Sequence, residues 1–210
     1  MTTETALELI ARETERCARC PLSQGARHAV PGTGDPHAEL LFIGEYPSAY
    51  DDRSGRPFSG PTGAFLDELL ALIGLDRSRI FLTNVVKHRV PDGRPLAPNE
   101  IAACAAYLTR QIEAIRPHVI VALGRSATLR FFPRGKMSEL HGRFKQVGGQ
   151  VVVALYNPAA ALHQEELRAT VIHDFTTAIP AALAEARRLA AEGKLRAAGG
   201  DEPPQQLSLF

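Results

Sequence analysis

The sequence predicts an α/β protein: a three-layer α/β/α sandwich around a short, mainly parallel, four-stranded sheet. Three observations predict it. Short apolar runs of strand length alternate with longer segments that place apolar residues at helical spacing. The runs read as buried strands rather than half-wet ones. Glycine and proline punctuate the joins, and strands alternating with helices favour βαβ units over an all-β or all-α packing.

Taken in order, Ala6 to Cys17 is a helix with Leu7, Ile10 and Ala11 on one side, and Pro21 to His37 is a Gly- and Pro-rich loop. Leu40-Leu41-Phe42-Ile43 is the first strand, ended by the loop Gly44 to Ser48. Thr62 to Leu72 repeats Phe65, Leu66, Leu69, Leu70 and Leu72 at helical spacing. Ile80 to Val86 is the second strand. Pro98 to Ile115 is a helix, with proline suited to its first turn and Pro117 just past its end. Val119 to Leu123 is the third strand, followed by a short helix from Ser126 to Phe132. Phe144 to Val147 and Val151 to Leu155 form a hairpin across Gly148-Gly149, its second arm buried, and Glu165 to Ala191 is mostly helical. In such sheets ligands bind beyond the carboxyl ends of the strands. The loops Gly44 to Ser48, Asn84 to His88 and Tyr156 to Leu162 therefore converge on one edge.

Composition bounds the function without naming it. The 210 residues, 45% hydrophobic and 22% charged, suffice for one domain with a full core, assigned to 1–193. Net charge is +1, so any nucleic-acid surface must be a local cluster of charge. No apolar run reaches membrane-spanning length, and the polar start, Met1 to Glu15, has no signal-peptide core. The 3 cysteines, two of them spaced C-x-x-C, fit a reducing compartment better than a disulfide framework. The expectation is a cytoplasmic monomer with no membrane partner.

Cys17, Cys20 and Cys104 are soft ligands, and His88, sixteen residues before Cys104, is the best candidate for a fourth. From donor chemistry alone zinc fits three cysteines and a histidine at least as well as iron–sulfur does. The runs Gly44-Glu45-x-Pro47, Gly55-Arg56-Pro57-Phe58-x-Gly60 and Thr83-Asn84-Val85-Val86-Lys87, in that order, resemble family-four uracil-DNA glycosylases from roughly Cys17 to Phe175. The resemblance implies a uracil-DNA glycosylase-like fold and an iron–sulfur cluster, [4Fe-4S], held by Cys17, Cys20, His88 and Cys104. His88 stands where that family has a cysteine. A three-ligand cluster with a surface His88 is the alternative. The cluster's implied role is structural, anchoring loops near DNA.

The resemblance also assigns a base pocket. A glycosylase takes its base out of the stack and holds it against a flat surface with a polar edge. Phe58 is the implied stacking aromatic and Asn84 the base-reading amide, which can donate and accept at once. Gly44 lends backbone to the pocket, and Tyr46 stands where small residues are usual. Cleaving the N-glycosidic bond leaves positive charge on the sugar and negative charge on the base. Glu45 holds the implied acid position, Asp51 is the second candidate, and Asp52 is expected to be solvated. The family's H-P-[SA] histidine, donor to the departing base, is here Asn157, in Tyr156-Asn157-Pro158-Ala159. A side-chain amide still donates, so the site is altered rather than emptied; His163 is expected to be a solvated loop residue. One relative of this family traps DNA covalently on a histidine in a basic insert after the matching N-x-V-K-H run. The segment Arg89 to Pro95 has neither insert nor histidine, so trapping is not expected.

Lys87, Arg89, Arg94 and Arg143 flank these loops and are candidate phosphate ligands. From Lys194 to Gln205 the composition is that of a flexible linker. It leads to Gln206-Leu207-Ser208-Leu209-Phe210, which resembles the bacterial sliding-clamp-binding pentapeptide, with Gln206, Leu207, Leu209 and Phe210 as anchors. The expected function is a monofunctional DNA glycosylase acting on uracil or a related deaminated base in DNA. The alternative is a weakly active or non-catalytic binder of such lesions.

Overall fold

The computed structural model describes residues 1–195. Its helices are α1 (Thr3–Glu15), α2 (Leu22–Gly25), α3 (Ala49–Ser54), α4 (Pro61–Leu72), α5 (Pro98–Ile115), α6 (Arg125–Leu129), α7 (Met137–Leu140), α8 (Pro158–His163) and α9 (Glu165–Ala191). Its strands are β1 (Thr33–Gly34), β2 (Leu40–Gly44), β3 (Ile80–Asn84), β4 (Val119–Leu123), β5 (Arg143–Val147) and β6 (Gln150–Leu155). They form one sheet in the order β1-β3-β2-β4-β6-β5. The four strands β3, β2, β4 and β6 run parallel.

Successive residues of these strands point to opposite faces, and the core divides accordingly. Leu40, Phe42, Leu82, Val121, Val153 and Leu155 face α4, α8 and α9. Leu41, Ile43, Phe81, Ile120, Ala122 and Val152 face α1, α5 and α6. Burial on both sides is why the strands carry uninterrupted apolar runs.

The sheet has six strands rather than the expected four. β5 pairs antiparallel with β6 as the solvent-facing arm of the hairpin, and β1 pairs antiparallel with β3. β1 lies inside the segment read as loop, because two residues carry no periodicity. Its Gly34 permits the pairing: a Cβ there would meet the Ile80 carbonyl oxygen at 2.0 Å. Strand β3 ends at Asn84 rather than Val86, although Val85 N–H still donates to Gly44 O and Val86 N–H to Glu45 O. Helices α3 and α8 are both six residues long; α8 begins in the segment read as a loop, and α3 lies in a stretch to which the sequence assigned no element. At the far end, Leu195 packs into the core and Lys194 N–H donates to Leu189 O, so the domain runs at least that far. Most of the linker and the whole of 206–210 lie outside the described residues. Among the described residues no helix is long and apolar enough to cross a membrane.

Candidate active site

The parallel strands end level with one another, and Gly44 is the register partner of Asn84. Beyond their carboxyl ends lies a cleft of about 200 Å³, lined by Glu45, Tyr46, Ser48, Asp51, Phe58, Gly60, Thr62, Asn84, Asn157, Ala159 and Ala160. The loops after β2, β3 and β6 do converge.

Gly44 makes room for the floor of the cleft. A Cβ on it would meet Asn84 Oδ1 at 2.3 Å and Phe58 Cζ at 2.8 Å. Asn84 is 2% exposed, and its Nδ2 has no hydrogen-bond partner. A buried donor without an acceptor is costly, so this amide is poised for a group that enters the cleft. Phe58 is buried at φ +52°, a left-handed backbone uncommon for a residue with a side chain. Its carbonyl is held by Arg77, whose Nη2 donates to Phe58 O at 2.7 Å and Gly63 O at 3.0 Å while Nε reaches Asp67 at 2.5 Å. Arg77 thus clamps the aromatic loop. No local pattern around it in the sequence marks that role.

The acids differ in what they have free. Both Asp51 oxygens are occupied: one accepts from Ser48 N–H at 2.9 Å, the other from Ser59 N–H at 2.8 Å and Ser59 Oγ at 2.9 Å. Asp51 therefore braces α3 against the Phe58 loop while also lining the cleft. Glu45 Oε1 accepts from Ser126 N–H at 2.8 Å, and its Oε2 lies over Gly124. Asp52 is buried, not solvated, and accepts from Arg27 N–H at 2.8 Å.

Asn157 lines the cleft and caps α8: its Oδ1 accepts from Ala159 N–H at 3.0 Å. That bond fixes the amide's orientation and leaves Nδ2 as the outward donor. Tyr46 is half-buried at the rim and donates to Gly93 O at 3.2 Å. Burial, with the neighbouring Glu45 charge, raises its pKa. His163 is exposed at the last position of α8 and does not line the cleft.

The cysteines are all free, Cys104 buried and the other two half-buried against the same core. Cys104 lies within electrostatic reach of Cys17 and Cys20. Burial raises the Cys104 thiol pKa, opposed by Lys87. Tyr107, its pKa pushed up to about 12 chiefly by burial, donates its hydroxyl to Glu13 O at 3.4 Å. His88 is 4% exposed and so is not a surface histidine; burial lowers its pKa, opposed by Asp52. Among the described residues no three His, Cys, Asp or Glu side chains stand close enough to hold one metal ion.

The expected phosphate ligands fare unequally. Lys87 is fully buried, so it is withdrawn as a DNA contact. Its Nζ donates to Thr83 Oγ1 at 2.6 Å, Asn84 O at 2.8 Å and Gln111 Oε1 at 2.8 Å, and burial pushes its pKa down to about 7. Arg94 is tied to Glu100 by two bonds, at 2.9 and 2.5 Å. Arg89 and Arg143 are exposed. His141 turns inward, its Nδ1 2.8 Å from Asp174 Oδ2. A fourth strand-end loop, Gly124 to Ser126, joins the site through Glu45 and exposes Arg125. The same carboxyl-edge rule that found the other three loops points to it.

Fold and cleft together define an α/β protein with a cleft, lined by an aromatic ring and side-chain amides, at the carboxyl end of its sheet. The family profile described as the uracil DNA glycosylase superfamily matches residues 31–178. The chain is 41% identical over 179 residues to a type-4 uracil-DNA glycosylase of Saccharolobus solfataricus, covering 80% of this chain and 83% of the relative. It is 41% identical over 182 residues to that of Archaeoglobus fulgidus (81% and 90%) and 38% over 183 residues to that of Thermotoga maritima (84% and 95%). The chain belongs to the uracil DNA glycosylase superfamily.

Proposed function

We propose that this protein is a monofunctional DNA glycosylase that hydrolyses the N-glycosidic bond of uracil, or of a related deaminated base, in DNA. The observation that carries the reading is the buried Asn84 amide, its Nδ2 unpartnered at the floor of a cleft that also holds Phe58. A flipped pyrimidine stacks on Phe58 while Asn84 donates to a ring carbonyl and accepts from the ring N–H. As the bond breaks, Asn157 Nδ2 donates to the departing base. The Glu45 carboxylate, held from behind by Ser126, faces the positive sugar or orients water. Asn157 is a neutral donor, weaker than a charged one. Slow excision, or binding that outlasts it, is the form in which the lesion-binding alternative survives. Uracil, hypoxanthine and xanthine oligonucleotides, single- and double-stranded, test the reading. Abasic product from the uracil strand is expected; retention without product overturns catalysis.

The cysteines fit an iron–sulfur cluster, [4Fe-4S], with Cys17, Cys20, His88 and Cys104 as its ligands. Three thiols within electrostatic reach of one another, in the order the resemblance expects, support an iron–sulfur centre. When bound, the cluster ties α5 to the loop after β3 and so steadies the strand end that carries Asn84. Iron and acid-labile sulfide analysis of the purified chain decides this.

Residues 206–210 offer two leucines and a phenylalanine on a tether, the chemistry of a short peptide entering an apolar groove of a bacterial sliding clamp. Calorimetry with the last five residues deleted tests it: lost clamp binding is expected, and equal affinity overturns it. A DNA substrate and a three-cysteine sequence with one C-x-x-C support a reducing, cytoplasmic compartment, and we infer that the protein acts there as a monomer.

A further inference from the structure

Asp174 is a carboxylate on the apolar face of α9. It is 3% exposed and shares that face with the buried Val171, Phe175 and Ala178. A buried acid is costly unless it is paired, and an apolar side chain would pack there without that cost. What the acid adds is direction. Its Oδ2 lies 2.8 Å from His141 Nδ1, so that nitrogen carries the proton and donates. The strand register brings this pair to the cleft. Gly142 N–H donates to Ala154 O at 2.9 Å, and Arg143 is the register partner of Ala154. His141 therefore stands beside the end of β6, where Tyr156 follows. The rings of His141 and Tyr156 meet with centroids 4.8 Å apart and planes at 32°. Tyr156 packs against the same core as α9, and the next residue is Asn157, which lines the cleft and caps α8. Gly142 is the joint: its φ is +73°, and a Cβ there would meet Asp174 Oδ1 at 3.0 Å. A chain of directed contacts thus runs from the long helix α9, through His141 and Tyr156, to the residue that begins α8.

We propose that His141, fixed by Asp174, is a positioning residue for base excision: through Tyr156 it holds the loop that carries Asn157, so that the Asn157 amide meets the departing base. The inference rests on the glycosylase reading above. A hydrogen bond fixes the plane of one ring, and an aromatic pair passes that orientation to the next. The demand for such a brace is kinetic. A donor displaced by about 1 Å can cost about a hundredfold in rate while leaving the fold intact. The cap bond from Ala159 orients the Asn157 side chain, and the brace sets where its backbone stands.

The test is a double-mutant cycle on the full chain: wild type, His141→Gln, Asn157→Ala and the two together. Single-turnover excision is measured on a uracil oligonucleotide, and affinity on an abasic-site oligonucleotide by fluorescence anisotropy. His141→Gln keeps a donor for Asp174 and removes the ring that Tyr156 meets. Excision should slow by about tenfold or more with affinity unchanged, and the Asn157→Ala background should erase the difference. Asp174→Leu, apolar on the apolar face of α9, cuts the tether and should slow excision likewise. Asp174→Asn still accepts from Nδ1 and should recover most of that loss. If His141→Gln does not fold, Asp174→Leu takes its place in the cycle. An unchanged rate, a defect that persists at full size without Asn157, or a defect that is lost DNA affinity overturns the positioning role and leaves the glycosylase. Wild type that yields no abasic product overturns the glycosylase reading and this inference with it.

Discussion

Asn157 carries two duties on two atoms. Its oxygen caps α8, and the donor duty proposed above falls to its nitrogen at the cleft, so substitutions can separate them. Asn157→Asp keeps an oxygen for Ala159 N–H and replaces the donor with a negative charge facing a departing anion. Melting temperature should hold within a degree or two while single-turnover excision of uracil falls by about a hundredfold or more. Asn157→Ala should lose both, with about 1 kcal/mol of stability going with the cap. Equal excision by the aspartate variant would remove Asn157 from the chemistry. Asn157→His should raise excision if the neutral donor is what limits the rate. Gly44 offers a second dissection at this scale. Gly44→Ala places a methyl 2.3 Å from Asn84 Oδ1 and 2.8 Å from the Phe58 ring. It should abolish inhibition by free uracil while the protein remains folded by circular dichroism.

At the scale of elements, α5 spans the gap between the cysteine centre and the rest of the fold, and its first turn is held by charge. Glu100 accepts from Ala97 N–H at 2.9 Å and from Arg94, and Arg94 first, then the Ala97 amide, holds its carboxyl below the usual range. A lowered folded pKa means stabilisation that is present above the unfolded value, about 4.3, and lost as pH falls through the folded one. Wild type should therefore melt about 2–4 °C above Glu100→Gln at pH 7, for roughly 1 kcal/mol. The gap should close progressively below about pH 4, where both states protonate. A gap that stays constant to pH 2.5 would show that the carboxylate charge is not what matters. The exposed Arg94 partner keeps the expectation modest. Asp51 illustrates the same division of labour. The sequence pattern brings a second acid to the motif, but only the bonds to Ser48 and Ser59 reveal that it also joins α3 to the Phe58 loop.

Across the molecule, what was legible was what repeats. Parallel strands buried on both faces write themselves as apolar runs, and the long helices α5 and α9 carry their punctuation with them. The cleft followed from topology, because loops at the carboxyl edge must meet. What was not legible lacks a local period: the two-residue β1, the short α3 and α8, and the inward turn of Lys87, which reads as a surface charge until Thr83, Asn84 and Gln111 are seen around it. That reversal alters the expected DNA interface. With Lys87 buried, Arg94 engaged by Glu100 and the hairpin's Lys145 lying over the Phe132 ring, the exposed cations left for phosphate on the strand-end loops and neighbouring hairpin are Arg89, Arg125 and Arg143. Each phosphate neutralised contributes about −0.9 to the slope of log affinity against log salt on duplex DNA, and about −0.7 on single strands. Three contacts give a slope of about −3 or −2 respectively, shallow for a DNA-binding protein but in keeping with a chain of net charge +1. Fluorescence anisotropy on an abasic-site oligonucleotide across a salt series measures it. Replacing Arg125 with alanine should flatten the slope by about one contact, whereas Lys87→Met should leave it unmoved. A slope near −6, or one that responds to Lys87, would mean that the binding face lies elsewhere on the molecule than the edge where the parallel strands end.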